Sequence, residues 1–278
     1  MLSQKTIEIV KSTIPFLKEN KIALTSYFYK RMFEHNPEVK PLFNVSNQAD
    51  GRQQQALAGA IVAFAENIDQ PEALANTVEI ISNKHASLMI QEDHYPIVGE
   101  NLIASIKELM NLEPESEILT AWTQAYGFLA GILMDREAEI YMSNSDKTGG
   151  WKGFRKFKVV KRVKESSLVT SFHLEPEDGG AIADYLPGQY LTVRVPTPDG
   201  QTTMRNYSLS DHSSKTHYRI SVKHEQGRNG SVPAGYVSSY LHTLVEEGGV
   251  WKSARRVANS FYSQKFRIRD HSCSLPGA

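Results

Sequence analysis

Residues 143–150 read SNSDKTGG, a polar stretch ending in two glycines, and the chain has a different character on either side of it. Runs of this composition mark connections rather than elements, so it reads as a linker over 143–151. On its N-terminal side the apolar residues recur at helical spacing. Ile7, Val10, Ile14 and Leu17 lie three and four apart, with Ser3 placed to cap the segment. Further helices are expected over Ile22 to His35, Arg52 to Asn67, Glu72 to Met89, Asp93 to Met110 and Glu115 to Tyr141. Pro71, Pro96 and Pro114 each fall in an expected first turn, where a missing N–H costs little. On the C-terminal side the period shortens. Phe154 to Val163, Leu168 to Leu174, Tyr190 to Val195, Arg205 to Ser210 and Tyr218 to Val222 are short, and turn residues such as Pro198-Asp199-Gly200 separate them. A helix at Gly235 to Val245 interrupts these strands, which fit an antiparallel barrel or sandwich.

The 278 residues suit two domains of the usual size. The 31 Lys+Arg balance 31 Asp+Glu, so a polyanionic partner such as nucleic acid is not favoured. Mean hydropathy is −0.39. The sequence has no long apolar run and no signal-like start, and Cys273 is its one cysteine. These features lead to the expectation of a cytoplasmic, monomeric protein with no membrane segment.

Among the 9 histidines, His85 stands out for its surroundings. It sits in an expected helix beside the apolar stripe of Ile81, Leu88 and Met89. Upstream, Tyr29 projects from the second helix, Phe43 follows a Pro-rich turn, and Gln53 and Leu57 are spaced to share one helix face. A phenol and an amide among apolar residues would give a pocket that excludes water and offers hydrogen-bond donors to bound O2, with His85 as the axial base of a haem. In the second half, strand alternation puts Arg205 and Tyr207 on one side. There a guanidinium can meet a pyrophosphate while the aromatic packs on a flavin. Gly235-Tyr236-Val237-Ser238 opens a helix, whose first N–H groups suit a phosphate.

The order of these features, with Gln53-Gln54-Gln55-Ala56-Leu57 ahead of Lys84-His85, resembles the bacterial flavohaemoglobins from residue 1 to about 247. The resemblance implies an all-α globin domain at 1–142. It also implies an antiparallel β-barrel of the ferredoxin-reductase FAD-binding type at 152–248. His85 matches the family's proximal ligand to haem b and Tyr29 its distal tyrosine. Phe43, Gln53 and Leu57 match other pocket residues, Tyr95 and Glu137 the partners of the histidine, and Lys84 a lysine that influences the haem and flavin potentials. For FAD the matches are Tyr190, Arg205, Asn206, Tyr207, Ser208, Gly235, Val237 and Ser238. The implied activity is that of a nitric oxide dioxygenase, an oxidoreductase that detoxifies NO under nitrosative stress by converting NO and O2 to nitrate with electrons from NAD(P)H. The alternative is a globin that binds O2 or NO without turnover.

Past Gly248 the resemblance stops. Where the family continues with a barrel strand and then an NAD(P)-binding α/β domain, this sequence has Gly249-Val250-Trp251-Lys252-Ser253 and a basic end. Trp251-Lys252-Ser253, back-translated one base out of frame, yields Leu-Glu-Val, and the following codons can supply the family's Pro, Gly and Phe. The expectation is an out-of-frame, disordered tail at 249–278, an incomplete flavin barrel that holds FAD weakly, no nicotinamide domain, and so impaired multiple turnover in this truncated chain.

Overall fold

The computed structural model describes residues 2–43, 51–212, 216–227 and 233–257, with residues 251–257 described by their backbone alone. The first half is helical, as its 3.6-residue period requires. Helix α1 spans Gln4–Ser12, and the Ser3 hydroxyl caps it by accepting from the Thr6 N–H at 3.1 Å. The periodic stretch from Ile7 to Leu17 is not one helix. It breaks at Thr13, and α2 runs unbroken from Ile14 to His35 with Pro15 in its first turn. Proline supplies no N–H and clashes with the preceding turn, so a helix starts there rather than passing through. A 3-10 turn at Pro37–Leu42 leads to α3, Arg52–Glu66. The expected helix over 72–89 divides into a 3-10 turn, Pro71–Leu74, and α4, Ala75–Leu88. Then come α5, His94–Leu109, and α6, Glu117–Ser145. Pro114 precedes α6, whose cap is Ser116. Because α6 continues to Ser145, the connection between the halves begins at Asp146 and not at 143.

The helices bury Leu17, Leu24, Phe28, Met32, Ile106 and Trp122 almost completely. Each such side chain contributes roughly 1.5–3 kcal/mol by leaving water. The Trp122 indole N–H donates to the Thr13 hydroxyl at 3.2 Å, tying the α1–α2 break to α6. Among the described residues no helix is long and apolar enough to cross a membrane.

The second half is one antiparallel sheet of β1 (Phe154–Lys164), β2 (Val169–Pro176), β3 (Tyr190–Pro196), β4 (Thr202–Ser208), β5 (Tyr218–Lys223) and β6 (Val250–Val257). The strand order is β4-β3-β6-β1-β2-β5. Its two outer strands meet where Leu209 bridges Ile220 and the Ser210 N–H donates to the Arg219 carbonyl at 2.8 Å, which curls the sheet back on itself. Phe157, Phe172, Leu191, Val193, Tyr218 and Ile220 fill the interior. Helix α7, Tyr236–Leu244, covers that interior with Val237 and Leu241.

The strand β6 corrects the expectation of a disordered tail from 249. Its backbone occupies the slot between β1 and β3, with Phe157 opposite Trp251, Lys158 opposite Val250, Val193 opposite Ser253 and Tyr190 opposite Val257. A strand pairs through main-chain groups that every residue but proline brings, and 250–257 contains no proline. Without β6, β1 and β3 would each present an unpaired edge. Residues 258–278, Cys273 included, lie outside the described residues.

The two halves touch. Helix α4 packs against β6, and the Pro37–Leu42 turn packs against β4.

Candidate functional site

Two groups of side chains are assembled in the helical half. In the first, Tyr29 is 7% exposed and its ring stands 5.7 Å from Phe43, edge to face, and 5.0 Å from Phe28. The phenol is hydrogen-bonded to the Gln53 side chain, and burial raises its pKa above the usual tyrosine value. Tyr29 therefore remains a neutral O–H. Gln53 and Leu57, one turn apart on α3, are half-buried, and Leu57 and Phe43 pack on the same core as Tyr29. Gly51, at φ 75, turns the chain into α3, a conformation that other residues adopt reluctantly.

The second group centres on His85. Its Nδ1 lies 2.8 Å from the Glu137 Oε1 of α6, and the Tyr95 hydroxyl of α5 donates to that same oxygen at 2.6 Å. Tyr95 Oη is also 3.2 Å from His85 Nδ1. Glu137 is only 3% exposed. The Glu137 Oε1 faces both the phenol O–H and the imidazole, and a carboxylate oxygen between two such groups is their acceptor, so the geometry assigns the imidazole proton to Nδ1. The other nitrogen, Nε2, then carries a lone pair and has no hydrogen-bond partner among the described residues, although about a third of the His85 side chain is exposed (32%). A lone pair held open this way, with a carboxylate behind it, is the donor arrangement of a metal-ligating histidine. The residues present fit a haem iron.

Sequence reasoning missed the support behind this group. The Tyr126 hydroxyl donates to the Tyr95 carbonyl at 2.6 Å, fixing the backbone that carries the phenol. Gly99 makes room for that ring, since a Cβ there would stand 2.5 Å from a Tyr126 ring carbon. A glycine inside an otherwise helical pattern was the available signal. Lys84, beside His85, is exposed and makes no ion pair among the described residues.

In the β half, Arg205 and Tyr207 lie on the same side of β4, as alternation requires. The Arg205 guanidinium donates to the Met204 carbonyl at 2.6 Å and has no carboxylate partner among the described residues. Burial lowers its pKa. A half-buried cation without a counter-ion is suited to an anionic group such as a pyrophosphate. Burial also pushes the Tyr207 phenol up to about 12, against the opposing pull of Arg205. Asn206 and Ser208 are exposed on the other side, and Asn206 accepts from the Thr192 hydroxyl at 2.9 Å.

Three expected flavin contacts need restating. Val237 is buried in the barrel core, and the Ser238 hydroxyl is committed to the Gly235 carbonyl at 2.9 Å and the Glu225 N–H at 3.2 Å. Neither side chain is available to a ligand, so only the backbone N–H groups that open α7 remain for one. Gly235 belongs there because a Cβ would meet the Ser238 hydroxyl at 2.8 Å and the Glu225 Cβ at 2.9 Å. The Tyr190 phenol is hydrogen-bonded to Ser87, two residues past His85, while the Ser87 hydroxyl donates to the Lys84 carbonyl at 2.7 Å. That leaves the Tyr190 ring, not its hydroxyl, for a flavin.

Comparison with known proteins agrees with both halves. The Globin family matches residues 26–133, and the Oxidoreductase FAD-binding domain matches residues 156–252. A flavohemoprotein of Rhodopirellula baltica is 50% identical over 248 residues, 89% of this chain and 61% of that protein. One from Rhizobium meliloti is 49% identical over 263 residues, 94% of this chain and 64% of that protein.

The chain belongs to the flavohaemoprotein family.

Its fold agrees with that of a flavohemoglobin from Malassezia yamatoensis with bound FAD and haem, at a TM-score of 0.78 and 28% identity over 93% of this chain and 65% of that one. Haem and FAD are the groups that a globin and an FAD-binding domain take, and the His85 and Arg205 sites fit them. The chain spans a little under two thirds of the length of these flavohaemoprotein relatives, 61% and 64% for the two above.

Proposed function

We propose that this flavohaemoprotein is an oxidoreductase acting as a nitric oxide dioxygenase, with haem b held by His85 in a unit ending at Ser145 and FAD held in a unit spanning 152–257. The observation that carries the reading is the chain of hydrogen bonds from His85 through Glu137 to Tyr95. When bound, the haem supplies the iron at which NO and O2 become nitrate, and FAD relays electrons whose source is NAD(P)H.

The protein's own residues set the conditions for this. Glu137 accepts a hydrogen bond from His85 Nδ1–H and makes the imidazole a stronger donor, which favours oxygen activation over reversible storage. Tyr95 holds the carboxylate in place. In the other group, the Tyr29 O–H and the Gln53 amide would offer donors to a small negatively charged ligand, and Phe43 and Leu57 would keep water out. In the barrel, Arg205 would provide the cation for the FAD pyrophosphate, the Tyr190 and Tyr207 rings would pack on its flavin, and the backbone N–H groups from Tyr236 onward would add anion donors. Asn206 and Ser208 are on the other side of β4, with Ser208 opposite Tyr190, and would complete the strand's part of the site.

NO consumption by the haem- and FAD-loaded chain tests the proposal. With an added electron donor keeping the flavin reduced, cyanide-sensitive loss of NO over many turnovers, yielding nitrate, is expected. Stoichiometric loss of NO in a single turnover would sink the enzyme and leave a globin that binds O2 and NO.

A further inference from the structure

Arg136 immediately precedes Glu137 on α6, and its guanidinium is engaged on three sides. Nε donates to Glu79 Oε2 at 2.6 Å and Nη2 donates to Glu79 Oε1 at 3.0 Å, while Nη1 reaches Glu139 Oε2 at 2.6 Å. Glu79 belongs to α4, the helix of His85. It accepts further from the Asn83 amide at 2.7 Å, so its carboxylate is fixed from both helices. The pair is not a loose surface contact, because 32% of the Arg136 side chain and 21% of the Glu79 side chain are exposed. A two-point arginine–carboxylate fork also has a defined plane, which a single contact lacks.

The geometry gives this pair a role in the His85 site. Arg136 and Glu137 are neighbours, about 1.5 Å apart along α6, yet they grip α4 at Glu79 and His85, positions about 9 Å apart along that helix. Their side chains therefore hold α4 at two points. Val78 and Ile81 of α4 also pack with Ala130 and Leu133 of α6, but apolar contacts are non-directional and leave α4 free to rock about the hydrogen bond that orients the imidazole. With the fork in place it cannot pivot without breaking two charge-assisted bonds. We infer that Arg136 and Glu79 are positioning residues for the haem ligand: they fix the tilt of α4 over α6 and so the strength and direction of the His85–Glu137 hydrogen bond. This inference rests on the reading of His85 as the haem ligand.

The test is the iron–imidazole stretching band of the ferrous, haem-loaded full chain in resonance Raman spectra, with Glu137→Gln as reference. Weakening the hydrogen bond that Nδ1–H donates lowers that frequency. Glu137→Gln is expected to lower it most. Arg136→Met, which keeps the aliphatic stem, should lower and broaden it by a smaller amount. Arg136→Lys should recover part of the shift, and Arg136→Met with Glu79→Gln together should add little to Arg136→Met alone, since the two act as a unit. If Arg136→Met does not fold, Arg136→Lys and Glu79→Gln carry the comparison through their smaller shifts. A wild-type band in these variants alongside a shifted Glu137→Gln band would overturn the inference and leave the haem reading standing. Absence of a histidine–iron band from the parent chain would overturn both. In the haem-free chain, the His85 Nδ1 proton resonance in NMR gives a second comparison, and it should move in Arg136→Met.

Discussion

Replacing Tyr95 with Phe removes one oxygen from the centre of the His85 site and little else. The ring is 7% exposed and packs with Ala130 and Leu133, contacts that Phe preserves. What disappears is the O–H that donates to Glu137 Oε1 at 2.6 Å. Burial, followed by that hydrogen bond and the neighbouring carboxylate charge, raises the phenol's pKa, so it is a neutral donor at any ordinary pH. A hydrogen bond to a charged group contributes about 1.5–3 kcal/mol. Glu137 keeps its second donor, His85, and is not left fully unpaired, so the lower part of the range applies, about 2 kcal/mol. At roughly 2–4 °C per kcal/mol for a chain of this order of size, the melting temperature should fall by about 4–8 °C. Far-UV circular dichroism during urea and thermal unfolding of the haem-free full chain reads this change in the helical signal. A loss below about 0.5 kcal/mol, the scale of an ordinary surface substitution, would refute the view that the Tyr95 hydroxyl holds Glu137 in place.

Three other outcomes are expected. Arg205→Met removes the half-buried cation of β4, and FAD should dissociate about ten- to a hundredfold more readily, equivalent to the roughly 1.5–3 kcal/mol of a charge-assisted bond; an unchanged Kd in a flavin-fluorescence titration would remove Arg205 from the site. Gly99→Ala places a methyl 2.5 Å from the Tyr126 ring and should destabilise the chain by about 1–3 kcal/mol through overpacking. Wild-type stability on urea unfolding would mean that the Tyr126 ring is not fixed against α5. Tyr207 should show itself at high pH: with a folded pKa of about 12 and an unfolded value near 10, its neutral form contributes stability fully present below pH ~10 and lost as the pH rises towards ~12. A late phenolate absorbance step that persists in Tyr207→Phe would assign that step to another residue.

The sequence made the two halves legible because helical and strand periodicity differ so sharply on either side of the 143–150 stretch. Periodicity overshot where proline chemistry decides boundaries. Ile7 to Leu17 keeps a helical stripe across Thr13 even though Pro15 starts a new helix there. Strand β6 was missed for the opposite reason. Its residues lack an apolar alternation, yet the gap between β1 and β3 offers main-chain partners on both sides.

At the site, Tyr29, Phe43, Gln53, Leu57, His85, Tyr95 and Glu137 were named from a family pattern, and the fold gathers them into the two groups described above. Glu137 by itself reads as one acid in a charged helical run; only its burial of all but 3% distinguishes it. The Arg136–Glu79 fork joins residues 57 positions apart, and Tyr126 serves Tyr95 across 31, separations at which a single sequence carries no signal. Val237 and Ser238 show the converse limit. A helix start can be read as an anion site from sequence, but whether its side chains face the ligand or the core depends on the packing of α7 against the barrel.

The central claim is that His85, with its Nδ1–H hydrogen-bonded to Glu137, binds a haem through Nε2. It is tested most directly by absorption and resonance Raman spectra of the purified chain and of His85→Ala after reconstitution with haem. The account predicts one haem per chain, a ferrous five-coordinate histidine signature, and loss of that signature in His85→Ala. An identical histidine signature in His85→Ala, or no haem uptake by the parent chain, would contradict it.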